Sequence, residues 1–95
     1  MGSHRMDGQT LYDSSNRQVG RVDGTTIYDS SNRQVGRVEG ETIYDSSNRQ
    51  VARVSGSDIY DANNQRIGSV DEARAAIDRG YGGVTLAALW IFFVR

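Results

Sequence analysis

The chain contains no cysteine, no proline and a single histidine. Without cysteine, disulfides and thiolate metal sites are excluded, and no redox compartment can be read from the sequence. The one histidine, His4, lies in Met1-Gly2-Ser3-His4-Arg5, which looks like a cloning remnant. Residues 1–6 are accordingly set outside the fold as a disordered lead-in. Charge of one sign is also missing: 11 basic residues stand against 12 acidic ones, for a net charge of −1. Such a balance exerts no global pull toward nucleic acid or an anionic membrane. The N-terminus has no apolar core of a signal peptide, so a cytoplasmic location is expected. The apolar run Val84 to Val94 is about half of the ~20 residues a helix needs to cross a bilayer, and no membrane partner is expected.

Present instead are eleven glycines at regular intervals, and with no proline the turns fall to them and to Asp, Ser and Asn. Four copies of a 16-residue unit follow one another: 7–22 (DGQTLYDSSNRQVGRV), 23–38 (DGTTIYDSSNRQVGRV), 39–54 (EGETIYDSSNRQVARV) and 55–70 (SGSDIYDANNQRIGSV). The fourth has drifted most, as a terminal unit facing something other than a repeat does. Within a unit, runs such as Thr25-Thr26-Ile27-Tyr28 and Gln34-Val35-Gly36-Arg37-Val38 have the β-branched and aromatic content of strands. Two turn types separate them. Asp23-Gly24 and its equivalents supply positive φ for a short hairpin loop. In Asp29-Ser30-Ser31-Asn32, side chains can bond nearby backbone and Asn tolerates the left-handed region. The expectation is an all-β fold: an antiparallel meander of eight short strands from four hairpin repeats, closed into a flower- or barrel-like array. Residues 7–95 then form one repeat domain, with a helix and an apolar tail over 71–95.

Two-residue loops at Glu39-Gly40 and Ser31-Asn32 would pair Val38 with Glu41, Gly36 with Ile43 and Val35 with Tyr44, and across the other turn Tyr28 with Val35 and Ile27 with Gly36. One face then carries Ile27, Gly36 and Val38; the other carries Thr26, Tyr28, Val35 and Arg37. A bulge in the longer turn would slip a strand and exchange the faces. Gly20, Gly36 and Gly68 recur beside isoleucine or leucine, with Ala52 in the remaining unit. A strand glycine weakens the strand, so its recurrence marks a crowded inner face where only a very small residue fits. Arginine stems would lie along tyrosine rings on the outer face.

After Val70 the period breaks. Asp71 to Arg79 reads as a short helix with acidic residues in its first turn and Gly80 as its stop; Tyr81-Gly82-Gly83 reads as a turn. Val84 to Val94 is apolar on every side and must be buried on every side. Ile91, Phe92, Phe93 and Val94 favour a buried C-terminal strand, which is the preferred reading, and Leu86 to Leu89 favour a helix. Either way Leu86, Leu89, Trp90, Ile91, Phe92 and Phe93 are the large side chains that the repeats lack. They are expected to fill the hairpin array of their own subunit, or that of a second copy in a domain-swapped homo-oligomer.

The pattern G-x-x-IYDSSNRQVGRV-DG, repeated in tandem and followed by a tail of small and aromatic residues, resembles the β-flower repeat proteins of bacteria over roughly residues 7–95. The resemblance implies short hairpins radiating about an axis, four-fold, or five-fold if the C-terminal segment adds an element. It implies no activity, no cofactor and no catalytic or binding residue.

Three kinds of chemistry are open to these residues. Asp13, Asp29, Asp45 and Asp61 offer oxygen ligands in loops, which suits Ca²⁺, but each turn has one acidic residue, and an Asx turn accounts for it. Arg17, Arg33 and Arg49, with Arg21, Arg37 and Arg53, alternate with Tyr12, Tyr28, Tyr44 and Tyr60. Interleaved arginine and aromatic rings can hold single strands or anionic glycans, but nearby acids offset the charge, which argues against nucleic acid, and solvated cross-strand pairs are the simpler reading. Tyr28, Arg33, Arg37, Tyr44, Arg49 and Arg53 are the candidate ligand face. Catalysis is not expected, because near-identical serine-rich turns lack the differently tuned groups of an active site. The sequence therefore points to a structural or protein-interaction module, with an anionic-polymer or glycan binder as the alternative.

Overall fold

The computed structural model describes residues 4–78 and 83–94. Ten strands form one sheet: β1 (His4–Asp7), β2 (Thr10–Tyr12), β3 (Gln18–Asp23), β4 (Thr26–Asp29), β5 (Gln34–Glu39), β6 (Thr42–Asp45), β7 (Gln50–Ser55), β8 (Asp58–Asp61), β9 (Arg66–Ser69) and β10 (Ile77–Asp78). Their spatial order is β10-β1-β2-β3-β4-β5-β6-β7-β8-β9. All neighbours are antiparallel except β1 and β10, which run parallel. The sheet is mostly β as expected, but has ten strands rather than eight, and hydrogen bonding does not close it. Helix α1 (Val70–Ala76) connects β9 to β10 and packs on both. A second helix, α2 (Val84–Leu89), continues into a π-helical segment, Trp90–Val94.

The two extra strands come from the ends of the repeat array. His4, Arg5 and Met6, expected to lie outside the fold, form β1, and Met6 is buried at 3% exposure. The reason is phase: Arg5-Met6-Asp7-Gly8 matches Arg21-Val22-Asp23-Gly24, so the first hairpin begins before residue 7. At the other end, the N–H of Val70 donates to the Ser57 carbonyl at 2.8 Å, as Val22, Val38 and Val54 do to Gln9, Thr25 and Glu41. Val70 thus holds the repeat's valine position, and α1 replaces the tight turn that follows it elsewhere. Ser69 caps α1 by accepting the N–H of Glu72 at 3.1 Å, and Asp71 and Glu72 occupy its first turn, where the helix dipole favours them. The helix stops at Ala76, earlier than expected, because Ile77 and Asp78 pair with His4 and Arg5 in the sheet. The expected stop at Gly80 and the turn through Gly82 fall outside the described residues.

Registers depart from expectation in a way that preserves the faces. The short loop is Gly40-Glu41 rather than Glu39-Gly40, so Val38 pairs with Ile43, and Tyr44 pairs with Arg37, not Val35. The strands slide by two residues, which leaves every side chain on its expected side. Positive φ at Gly24 (62°), with none at Thr25, is the pattern of a type II′ turn. In the longer turn, Ile27 pairs with Gly36 as expected, but Tyr28 pairs with Gln34, leaving Val35 as a bulge. Ser30-Ser31-Asn32 is a three-residue loop whose last member is left-handed (φ 65° at Asn32), the usual companion of a bulge. The bulge absorbs the extra residue, so the faces do not exchange.

The inner face carries Met6, Val22, Val38 and Val54 beside Leu11, Ile27, Ile43, Ile59 and Ile77, the last five at 0% exposure. On it lies the tail, with Leu86, Ala87, Ala88, Leu89 and Trp90 all buried. The preferred reading of the tail as a strand is overturned: it is helical. The tail lies within a face of side chains, where no neighbouring backbone pairs with it, so its N–H and C=O groups must bond within the segment. The glycines are explained at the same time. A Cβ at Gly20 would lie 2.5 Å from the Phe93 ring, one at Gly68 2.5 Å from the Trp90 ring, and one at Gly36 would overlap the Phe92 ring. Aromatic rings crowd the inner face at all three glycines, and neighbouring backbone crowds it at two: such a Cβ would also lie 2.5 Å from the Tyr44 carbonyl oxygen at Gly36 and 3.0 Å from that of Tyr28 at Gly20.

Deleting the tail after Gly83 therefore removes the centre of the core. The truncated chain is expected to lose its cooperative thermal transition and its near-ultraviolet circular dichroism, and Leu89→Ala is expected to cost about 2–5 kcal/mol in denaturant unfolding.

Candidate functional site

The outer face repeats one arrangement four times. Arg21 and Tyr28 are directly paired across β3 and β4, and the guanidinium carbon stands 4.1 Å from the ring centroid. Arg37 on Tyr44 (4.2 Å), Arg53 on Tyr60 (4.4 Å) and Arg5 on Tyr12 (4.5 Å) repeat it. Each arginine also donates to the asparagine of the next long turn: Arg21 Nε to Asn32 Oδ1 at 3.0 Å, Arg37 Nε to Asn48 and Arg53 Nε to Asn64, both at 3.1 Å, and Arg5 Nη2 to Asn16 at 2.7 Å. A stack of this kind contributes about 0.5–1 kcal/mol when exposed. Arg37 additionally pairs with Glu39, an exposed contact of little energetic weight.

The long turns are built as Asx turns. Asp29 Oδ1 accepts the N–H groups of Ser31 (2.8 Å) and Arg33 (3.0 Å), and Asp13, Asp45 and Asp61 do the same at their own turns. The carboxylate thereby folds the loop that presents asparagine to arginine. Of these acids, Asp13 is held below its ordinary value of 3.8, first by the hydrogen bond from the Arg17 N–H, then by that from Ser15 and the positive charges of Arg17 and His4; partial loss of hydration works the other way.

Of the residues expected to form a ligand face, Arg37 and Tyr44 stack on each other, whereas Tyr28 is stacked by Arg21 and Arg53 lies over Tyr60, all of them half-buried. Arg33 and Arg49 are exposed turn residues outside the stacks. The sequence reading missed Arg5 as the partner of Tyr12 and missed the asparagines as acceptors for arginine. Starting the repeat at Arg-Val-Asp-Gly instead of Asp-Gly reveals the first. The second depends on the three-residue loop, which no spacing discloses. Loss of arginine at Ser69 does not break the ladder, because Tyr60 takes its arginine from β7. Of the tail residues, Leu86, Leu89 and Trp90 are buried, and Ile91, Phe92 and Phe93 are half-buried against the core. Among the described residues, no cluster of three or more His, Cys, Asp or Glu side chains could hold a metal ion.

Two substitutions separate the roles of asparagine. Asn48→Gly keeps the left-handed backbone and loses only the bond to Arg37, whereas Asn48→Ala also incurs about 1–2 kcal/mol of backbone strain; alanine is expected to be clearly the more destabilising in chemical denaturation. For Asp13, a lowered native pKa means that its stabilising contribution is complete above the unfolded value of about 3.9. It is lost as pH falls through the native value. Asp13→Asn should therefore narrow the gap between melting temperatures at pH 6 and pH 2.5.

A family model described as 5-fold beta-flower protein matches residues 3–94. No curated protein and no solved structure matches the chain.

Proposed function

Because the chain belongs to the 5-fold beta-flower family, a repeat fold of one hairpin type, we propose that it acts as a structural or protein-interaction module without catalytic activity. One observation carries this reading. The recurrent polar groups that could do chemistry are spent inside the chain: four carboxylates fold their own turns, and four arginines are stacked on tyrosine and bonded to asparagine. What the molecule offers outward is a rigid, repetitive and chemically quiet surface. No helix among the described residues is long and apolar enough to cross a membrane.

The tail packs in the sheet of its own chain. Self-association through the tail is then an exchange of that same contact between two copies. Light scattering on the full chain over a range of concentrations reads it as a doubled mass; a single-chain mass throughout argues against the exchange.

The alternative, an anionic polymer or glycan held on the Tyr/Arg face, draws on the exposed Arg17, Arg33 and Arg49 beside the stacks. Against it, stacking and bonding to asparagine already use much of the ladder's donor capacity. Chromatography on immobilised heparin and on a single-stranded oligonucleotide distinguishes the two. The proposal expects elution at or below physiological salt, unchanged in Arg37→Ala/Arg53→Ala. Retention into high salt that this double variant abolishes would establish the binder instead.

A further inference from the structure

Five residues of the inner face hold one equivalent position. Gly20 pairs with Leu11, Gly36 with Ile27, Ala52 with Ile43, Gly68 with Ile59 and His4 with Ile77. In each pair the partner is an aliphatic residue at 0% exposure. There is one such position per petal, although the fifth is made by the parallel pairing of β1 with β10 rather than by a hairpin.

Three of these positions have visible occupants: Phe93 at Gly20, Phe92 at Gly36 and Trp90 at Gly68. Consecutive tail residues thus meet consecutive petals, in reverse order, with one gap. The skipped position is Ala52, and the skipped residue is Ile91. One position remains, His4, and one residue of the π-helical segment remains, Val94. An α-helix turns about 100° per residue, whereas five evenly spaced petals stand about 72° apart. Bonding from i to i+5 winds the chain more loosely, which brings successive side chains closer to the spacing of the petals. Trp90–Val94 is the part of the tail that is π-helical.

We propose that Trp90–Val94 is a rotational key, its five residues addressing Gly68, Ala52, Gly36, Gly20 and His4 in turn. The match is one of size. Rings face the seats with no Cβ, and the smaller Ile91 and Val94 face the seats that carry a side chain. Such a key answers a problem created by near-identical repeats, which offer the tail several nearly equivalent rotational settings. Rotation by one petal sets a ring over Ala52, where a Cβ meets ring carbons at the kind of distance found at Gly20 and Gly68, 2.5 Å. The code of small and smaller residues leaves one setting without overlap.

The decisive measurement is made on the unaltered full chain by methyl and aromatic nuclear Overhauser spectroscopy. The key requires contacts from the Ala52 methyl to the Ile91 methyls and from the His4 ring to the Val94 methyls; an Ala52 methyl lying on the Phe92 or Phe93 ring instead overturns it. Double-variant cycles supply the energetic counterpart. Ile91→Phe should lower stability, and adding Ala52→Gly should restore it several-fold in the unfolding equilibrium constant relative to additivity. Gly68→Ala, whose three nearest contacts are all Trp90 ring carbons, should likewise be relieved by Trp90→Ile. Ala52→Gly combined with Phe93→Leu should be additive. Additivity in the 52/91 cycle, or equal coupling in the 52/93 cycle, overturns the proposal. If Ile91→Phe alone does not fold, recovery of folding on adding Ala52→Gly supports the key, and failure to recover opposes it.

Discussion

Contact between the aromatic rings of the tail and strand positions that have no side chain is the constraint on which the rest of this structure depends. A sheet of hairpins this short, with one large aliphatic residue and two valines per unit, cannot bury itself, and small domains leave little margin for a thin core. The tail supplies the missing volume, but a ring can reach the sheet only where the Cβ is absent. Glycine inside a strand weakens the strand locally. Here that local cost is offset by close packing of Phe92, Phe93 and Trp90, each of which brings the large buried area typical of aromatic side chains.

The two faces of the sheet solve different problems. On the inner face, apolar residues from every strand converge on one helical segment. On the outer face, order is local: arginine lies over the tyrosine paired with it, tyrosine leads into an Asx turn, and the asparagine of that turn returns to the arginine. Each 16-residue unit but the last is thus tied to the unit after it on the outside, through its arginine, and to the tail on the inside.

Most of the sheet was legible from the residues, because alternation along Thr26-Ile27-Tyr28 and Gly36-Arg37-Val38 fixes which side faces in whether or not the loop is placed correctly. Turn chemistry at Gly24 and Asn32 was legible for the same reason, since few residues adopt positive φ. Three things were not. The phase of the repeat is arbitrary in a periodic sequence, so Arg5 and Met6 were separated from the hairpin they begin. A continuous apolar run has no periodicity to reveal its conformation, and what decides it for Val84–Val94 is the absence of a neighbouring backbone. The occupant of the glycine seats lies far away in sequence, so the need for a small residue could be read at Gly36 while the ring of Phe92 could not.

The pairing of β1 with β10 has a consequence for how the molecule is assembled. Every other strand meets its neighbour across a short turn, so nearly all of the sheet can be built from contacts close in sequence, which form quickly. His4 with Ile77 and Arg5 with Asp78 are the exceptions. They span most of the chain and consist of two residue pairs. The hairpins can accumulate one by one as the polypeptide is synthesised, while the first strand keeps an open edge until helix α1 has emerged and turned back. Joining the first strand to the last is then a single late event, and until it occurs the nascent molecule is a ribbon whose first strand is unpaired along one side.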